Sequence, residues 1–194
     1  MPDHNLRVLL IDENERRARD LGRDLTETGY ALAGTFASRS DLPARARELN
    51  PDVLIINLES LDGGILESLR QLHEERPRPI VVFVDRTEEA LTQQAIEAGV
   101  SAYVVAGFNP TRVKPILDAA IARFGTYQAL RGELQKTRES LAERKLIERA
   151  KGILMKRKKL DEGAAYAALR RMAMDRNQRI VEVAQGIIDF SEVL

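Results

Sequence analysis

Two adjacent carboxylates, Asp12 and Glu13, follow the short apolar segment RVLLI at positions 7–11. A pair of carboxylates at the carboxyl end of a strand is suited to a hard divalent cation such as Mg²⁺. The same residues could instead form a solvated acidic loop that favours the start of the following helix. The residues alone leave both interpretations open.

Other residue types exclude several kinds of chemistry. The chain has no cysteine and has two histidines, His4 and His73. Disulfides and thiolate metal sites are therefore excluded, and catalytic triads and histidine metal sites lack their parts. The turn sequence DGG at positions 62–64 is not followed by the GK[ST] of a phosphate-binding loop. We therefore expect no catalytic residues, no cofactor and no bound metal.

The elements that would position these residues alternate in type along positions 1–124. Short apolar segments predict strands, and the longer amphipathic segments between them predict helices. This alternation is typical of βα units around a parallel sheet, and predicts an α/β, flavodoxin-like (βα)5 domain. The predicted strands are 7–11, 31–36, 53–57, 80–84 and 102–105, and the predicted helices are 15–28, 40–49, 64–74, 88–98 and one that begins near 109.

This N-terminal segment resembles the receiver domains of two-component response regulators. The resemblance implies that Asp12 and Glu13 stand where that family holds magnesium. It places Asn57, at the end of PDVLIIN, where the phospho-accepting aspartate belongs. It also places Val84 at the position of a Ser or Thr, and Ala106 at that of a lysine. An amide has no free carboxylate to attack a phosphoryl group, so these residues form a degenerate phosphorylation site.

Glu59 and Asp62 are acidic side chains close to the third predicted strand. They lie in the loop beyond the strand and would point differently from a residue at position 57, so we do not expect them to replace the acceptor. The sequence therefore predicts a pseudo-receiver that a partner protein switches without phosphorylation.

The formal net charge of zero hides an asymmetry along the chain. Residues 1–124 contain 15 basic and 20 acidic side chains, whereas residues 125–194 contain 15 and 10. Positions 149–179 alone contain 10 basic and 3 acidic side chains. Such a segment suits a polyanionic partner. Some of these cations, near a helix C-terminus, could instead serve to complement the helix dipole.

A long helix is predicted from Pro110 to about Lys159, because Gly125 alone costs only about 1 kcal/mol in a helix interior. Three leucines in its middle match about two heptads of a coiled coil. This spacing predicts dimerisation through the coiled coil, although the helix could instead pack on its own N-terminal domain. The leucines are Leu130, Leu134 and Leu141.

Positions 143–194 predict an all-α domain of three helices. The first covers 143–158, the second is capped by Asp161, and the third covers about 178–188. Alanines at the facing positions let the helices approach closely. Tyr166 could pack between these helices or stack on a base. The predicted domains are thus a pseudo-receiver at 1–124, a coiled-coil linker at 125–142 and the helical domain at 143–194.

Three motifs of this helical domain, AKGILM, AYAALRRMAM and VA, begin at Ala150, Ala165 and Val183. With them the segment resembles the ANTAR domain, a family of RNA-binding antitermination modules. The resemblance implies binding to hairpins in leader mRNA, which prevents formation of a terminator hairpin. The predicted phosphate contacts are Arg149, Lys151, Lys156, Arg157, Arg170, Arg171, Arg176 and Arg179, and the predicted base contacts are Asn177 and Gln178.

The order of receiver, coiled coil and ANTAR domain resembles the NasT-like regulators of nitrate assimilation and, more distantly, the AmiR-like amidase regulators. This resemblance implies an active homodimer and a NasS-like sensor protein that sequesters the regulator until nitrate or nitrite binds. The alternative is a DNA-binding response regulator, which would need a recognition helix beside a short turn. Without a signal peptide or an apolar run of about 18 residues, we expect a cytoplasmic protein with no membrane partner.

Overall fold

The computed structural model describes residues 6–38, 41–86, 89–105 and 110–192. The chain divides into two compact units, Met1–Gln128 and Ala129–Leu194. The strands of the described residues are β1 Arg7–Asp12, β2 Ala31–Phe36, β3 Val53–Leu58, β4 Ile80–Val84 and β5 Ala102–Val105. The helices are α1 Glu15–Glu27, α2 Leu42–Leu49, α3 Gly63–Glu75, α4 Glu89–Glu97, α5 Pro110–Lys158, α6 Glu162–Arg176 and α7 Ile180–Glu192.

The five strands form one parallel sheet in the order β2-β1-β3-β4-β5. The predicted flavodoxin-like arrangement is therefore confirmed. Every residue of β3 and β4 is buried, as expected for central strands of a sheet covered on both faces. The register pairs Asp12 with Asn57, and Leu58 with Val84. The three strands β1, β3 and β4 thus bring these side chains to the same edge of the sheet.

Alternation along β1 divides the core between the two faces of the sheet. Leu9 and Ile11 join the cluster formed with α2, α3 and α4. Val8 and Leu10 join the cluster formed with α1 and the start of α5. All four side chains are fully buried. A shift of β1 by one residue would therefore turn each of them to the opposite face of the sheet, where it would meet different helices.

Tyr30, which immediately precedes β2, connects the sheet to the start of α5. Its ring is buried, and its hydroxyl donates a hydrogen bond to Asp118. Lys114 Nζ contacts the other carboxylate oxygen of Asp118 at 3.0 Å. Burial, together with the acceptor Asp118, raises the pKa of the Tyr30 hydroxyl well above its usual range.

The C-terminal unit has its own core between the last turns of α5 and the helices α6 and α7. Asp161 caps α6, as predicted, by accepting a hydrogen bond from the Ala164 amide at 2.7 Å. Asn177 ends α6 in the left-handed conformation at φ 51°. The fully or nearly fully buried side chains are Ala150, Leu154, Ala165, Leu169, Ala173, Val183, Ala184 and Ile188.

The predicted long helix is observed as α5, which has 49 residues. Its residues 129–142 are all exposed. Leu130, Leu134 and Leu141 are exposed by 60, 50 and 54%. These values leave the apolar stripe of the predicted coiled coil uncovered in the single chain. Within the described ranges, no helix combines the length and apolar character needed to cross a membrane.

Candidate functional sites

The predicted degenerate phosphorylation site includes Asp12 and Asn57, which are both fully buried. The Asn57 amide nitrogen donates a hydrogen bond to Asp12 Oδ2 at 2.8 Å. The Asn57 carbonyl oxygen is buried and has no hydrogen-bond partner. This hydrogen bond fixes the orientation of the Asn57 amide. The Asn57 side chain thus supplies a hydrogen-bond donor to the buried carboxylate of Asp12.

Arg17, in the first turns of α1, supplies the positive charge of this site. Its guanidinium contacts both carboxylate oxygens of Asp12, with the Nε to Oδ2 distance at 2.8 Å. These hydrogen bonds raise the pKa of Arg17 above its usual value, and the neighbouring charges of Asp85 and Glu13 act in the same direction. The charge of buried Asp12 is therefore balanced by the guanidinium of Arg17.

The other residues assigned to this site contribute little polar chemistry. Glu13 is exposed, whereas Val84 is fully buried in the sheet. Ala106 lies outside the described residues. Among the residues that the structure describes, no group of three or more His, Asp or Glu side chains is placed to hold a metal ion. Because Asp12 is fully buried and paired, the expectation of a solvated acidic loop is wrong for that residue.

The predicted RNA-contact residues lie on α5, on α6 and at the turn before α7. Nine of the ten are exposed. The exposed ones are Arg149, Lys156 and Arg157 on α5, Arg170, Arg171 and Arg176 on α6, and Asn177, Gln178 and Arg179 at the turn before α7.

Lys151 is the buried member of the predicted set, with 7% of its surface exposed. Its ammonium contacts Glu148 Oε2 at 2.9 Å and Glu162 Oε1 at 2.7 Å. These hydrogen bonds, above all the one that Lys151 donates to Glu162, raise the pKa of Lys151. The geometry therefore favours a role for Lys151 in holding α6 to α5 over a role in contacting phosphate.

Arg179 is exposed but is engaged within the bundle. Its guanidinium forms an ion pair with Glu143 on α5, and its backbone amide donates to Glu182 Oε2 at 2.8 Å. The amide contact satisfies a free donor at the start of α7. A phosphate could compete with Glu143 for the guanidinium, but that exchange would first break an existing pair.

Tyr166 lies on the outer face of α6 and is 46% exposed. It lines a shallow depression together with Arg170, Arg171 and Met174, whose exposed fraction is 72%. The ring does not fill the space between the helices, so the alternative of a packing role does not describe it. An exposed aromatic ring beside two guanidinium groups can stack on an unpaired base while the cations approach its phosphates.

Sequence reasoning missed Arg17, although its signal was present. It stands five residues after Asp12, in the first turns of the helix that follows the acidic loop. Helix geometry returns such a residue toward the end of the preceding strand. A lone arginine on an amphipathic helix resembles an ordinary surface residue until a buried carboxylate is known to need a partner.

Comparison with known proteins shows that two protein-family models match this chain. The model of the response regulator receiver domain matches residues 8–118. The model of the ANTAR domain matches residues 135–188. The first match covers more than half of the chain, and the second covers most of its C-terminal unit.

Individual relatives agree with these matches. The transcriptional regulatory protein PdtaR of Mycobacterium tuberculosis is 30% identical over 183 residues, which cover 94% of this chain and 89% of the relative. The nitrate regulatory protein of Klebsiella oxytoca is 49% identical over 61 residues, or 31% of this chain and 15% of that protein. The solved structure of chemotaxis protein CheY4 of Vibrio cholerae has a TM-score of 0.52 at 20% identity, covers 60% of this chain and 98% of its own, and shows the fold alone.

Proposed function

This chain belongs to the response regulators that join a receiver domain to an ANTAR domain, and from that membership we propose that it is an RNA-binding transcription antiterminator. It would bind hairpins in leader mRNA and so prevent formation of an overlapping terminator. Such a regulator acts by binding, without catalysis. Its target is nascent RNA, which would place its action in the cytoplasm.

The observation that carries this proposal is the concentration of exposed cations on the small helical bundle. Phosphates attract Lys and Arg side chains with a strong dependence on salt. A hairpin loop adds unpaired bases that can stack or offer their edges. Tyr166, Asn177 and Gln178 are exposed beside the cations and could make those contacts. Because Lys151 is buried in an ion-pair network, we leave it out of the proposed contact set.

Terminator read-through in vitro tests the proposal directly. A transcript with two hexaloop hairpins ahead of a terminator is selected from a pool with randomised loops and then transcribed with and without the purified protein. The protein should raise the full-length fraction, and should leave a matched template with deleted hairpins unchanged. No selected RNA, or no read-through on any selected leader, would overturn the proposal.

A competition experiment distinguishes the proposed function from the alternative, a DNA-binding response regulator. Selected hairpin RNA and duplex DNA of the same sequence compete for the protein at one fixed salt concentration. The proposal requires that the RNA displaces the duplex and that the duplex does not displace the RNA. The match to the ANTAR domain supports RNA as the ligand.

We infer that the active form is a homodimer joined by the middle of α5. The exposed Leu130, Leu134 and Leu141 support this inference, because an apolar stripe at heptad spacing is stabilised by burial against a second copy. Two bundles held together would bind two hairpins by effective concentration, with no new contact to either hairpin.

The regulated genes and the regulating partner are the most specific parts of the proposal. We propose that the leaders belong to nitrate or nitrite assimilation genes and that a NasS-like sensor holds the protein inactive. The likeness to the nitrate regulatory protein supports this, although it covers only the C-terminal third of the chain. The test adds the sensor to the read-through assay: it should abolish read-through, and nitrate or nitrite should restore it. An unresponsive mixture would remove this part of the proposal.

A further inference from the structure

Gly152 stands in the interior of α5, where its conformation does not require glycine. A Cβ atom added at this position would meet no heavy atom within 4 Å, and no positive φ is recorded there. Glycine weakens a helix interior relative to alanine, because it loses more conformational freedom on folding. Neither backbone geometry nor packing within the chain explains this glycine. An external group that approaches the helix closely would explain it.

The open side of Gly152 is the side away from the bundle core. Gly152 is two residues from Ala150 and two from Leu154, both buried in that core, and two residues turn an α-helix by more than half a circle. Lys145, Arg149 and Lys156 recur with Gly152 at spacings of four, three and four, which places them along the same side of the helix. All three are exposed.

Charge decides which partner this side fits. The apolar stripe of α5 ends at Leu141, and the next residues on that side are the basic Lys145 and Arg149 and the acidic Glu148. Glu148, an acidic neighbour, is already paired with Lys151. A second copy of the helix would bring like charges together across a two-fold axis, whereas a polyanion would neutralise them.

We propose that Gly152 is the contact point for the sugar-phosphate backbone of RNA on α5, with Lys145, Arg149 and Lys156 as its flanking phosphate contacts. The missing side chain lets a phosphate approach the helix closely, and the cations are spaced along the helix to follow the strand. This inference rests on the proposed RNA-binding function and names the surface that performs it.

A pair of glycine substitutions tests the proposal with the full chain. Gly152→Ala is compared with Gly132→Ala, an exposed position of the same helix where an added Cβ also meets nothing within 4 Å. Both should raise the melting temperature, by roughly 2 to 4 °C. With the selected two-hairpin RNA, Gly152→Ala should weaken binding about tenfold, or about 1.4 kcal/mol, while Gly132→Ala should leave it unchanged.

Salt dependence gives a second measurement that does not depend on the glycine. Lys145→Gln and Lys156→Gln should each lower the slope of log affinity against log salt by about 0.7 to 0.9. Lys136→Gln removes an exposed charge from α5 away from this side and should leave the slope unchanged.

Each remaining outcome overturns the inference in a recognisable way. Unchanged affinity in Gly152→Ala would show that nothing approaches the glycine. An equal loss in Gly132→Ala would assign the effect to helix stiffness. A changed monomer–dimer equilibrium of Gly152→Ala without RNA would assign the surface to a second copy. If the wild type binds none of the selected RNAs, the proposed function itself fails, and this inference with it.

Discussion

The amide of Asn57 donates to Asp12 Oδ2 over 2.8 Å, and both side chains are completely buried. Asn57, which we predict to stand at the phospho-acceptor position, therefore forms a structural contact between β3 and β1. Arg17 completes the arrangement from α1 by contacting both oxygens of the same carboxylate. The three elements β1, β3 and α1 are thus connected by hydrogen bonds and one ion pair.

Replacing Asn57 with Asp should destabilise the receiver unit by an amount on the order of 3 kcal/mol near neutral pH, because two carboxylates would share one buried site. The destabilisation should shrink in acid, because the pair would bind a proton more readily than an isolated carboxylate. Urea unfolding at about pH 7 and about pH 5 measures both values. Asn57→Ala, which adds no charge, should lose the same stability at both, and parallel behaviour of the two variants would contradict the prediction.

Arg17→Gln should lower the free energy of unfolding by about 2 to 3 kcal/mol. The change leaves the buried charge of Asp12 without its cation, and the value is at the low end for buried pairs because Arg17 is 28% exposed. The neighbouring Arg16→Gln is the control: its side chain is exposed, and its cost should stay within about 0.5 kcal/mol. Similar losses in the two variants would show that Arg17 does not stabilise the site.

Acetyl phosphate with magnesium should leave the intact mass of the protein unchanged. The amide at position 57 cannot form an acyl phosphate, and Asp12 is already occupied by Arg17 and Asn57. A receiver domain with an intact acceptor serves as the positive control in the same reaction. A stoichiometric gain of one phosphoryl mass on this chain would contradict phosphorylation-independent control.

Much of the fold could be predicted from the sequence, because strand and helix periodicities are local. Predicted strands at 31–36, 80–84 and 102–105 have the observed bounds, and most helix ends differ by one or two residues. Asp161 was recognisable as a cap because its role depends on the next few residues alone. The position of Asn57 near the end of β3 was likewise predictable, since it depends on one strand alone.

The partners of charged residues could not be predicted, because they depend on distances across the fold. Lys151 and Arg149 are both basic residues and lie two positions apart in the sequence. Lys151 is buried against two glutamates, whereas Arg149 is exposed. Tyr166 lies among alanines and methionines that suggest a packed helix, and α6 turns it outward. The open space beside Gly152, on which the proposed RNA contact depends, is likewise a property of the fold.

Leu134→Lys should weaken binding to a two-hairpin RNA much more than binding to either hairpin alone. A lysine in the apolar stripe disfavours the coiled coil, and with it the effective concentration that links the two bundles. Ala129→Lys adds the same charge to an exposed position of α5 outside the leucine stripe and should bind both RNAs as the wild type does. Titration of both RNAs measures the ratio, and equal losses on one and two hairpins would contradict a dimeric active form.

Lys151 connects the two helices α5 and α6 through Glu148 and Glu162. The hydrogen bond that Lys151 donates to Glu162 is the main cause of both the lowered pKa of Glu162 and the raised pKa of Lys151. The pair therefore stabilises the bundle between the two ordinary values, above 4.5 for the glutamate and below 10.5 for the lysine.

Glu162→Gln should make the C-terminal bundle less sensitive to acid. In the wild type, the stabilisation from the lowered pKa of Glu162 is present above the ordinary glutamate value of 4.5 and is lost as the pH falls below it. The variant lacks this contribution at every pH, so its difference from the wild type should shrink on acidification. Melting curves followed by circular dichroism between about pH 7 and about pH 3 give this difference. Glu133→Gln, at an exposed glutamate of α5, should keep the acid sensitivity of the wild type. A constant difference between Glu162→Gln and the wild type would show that the ion pair does not stabilise the bundle.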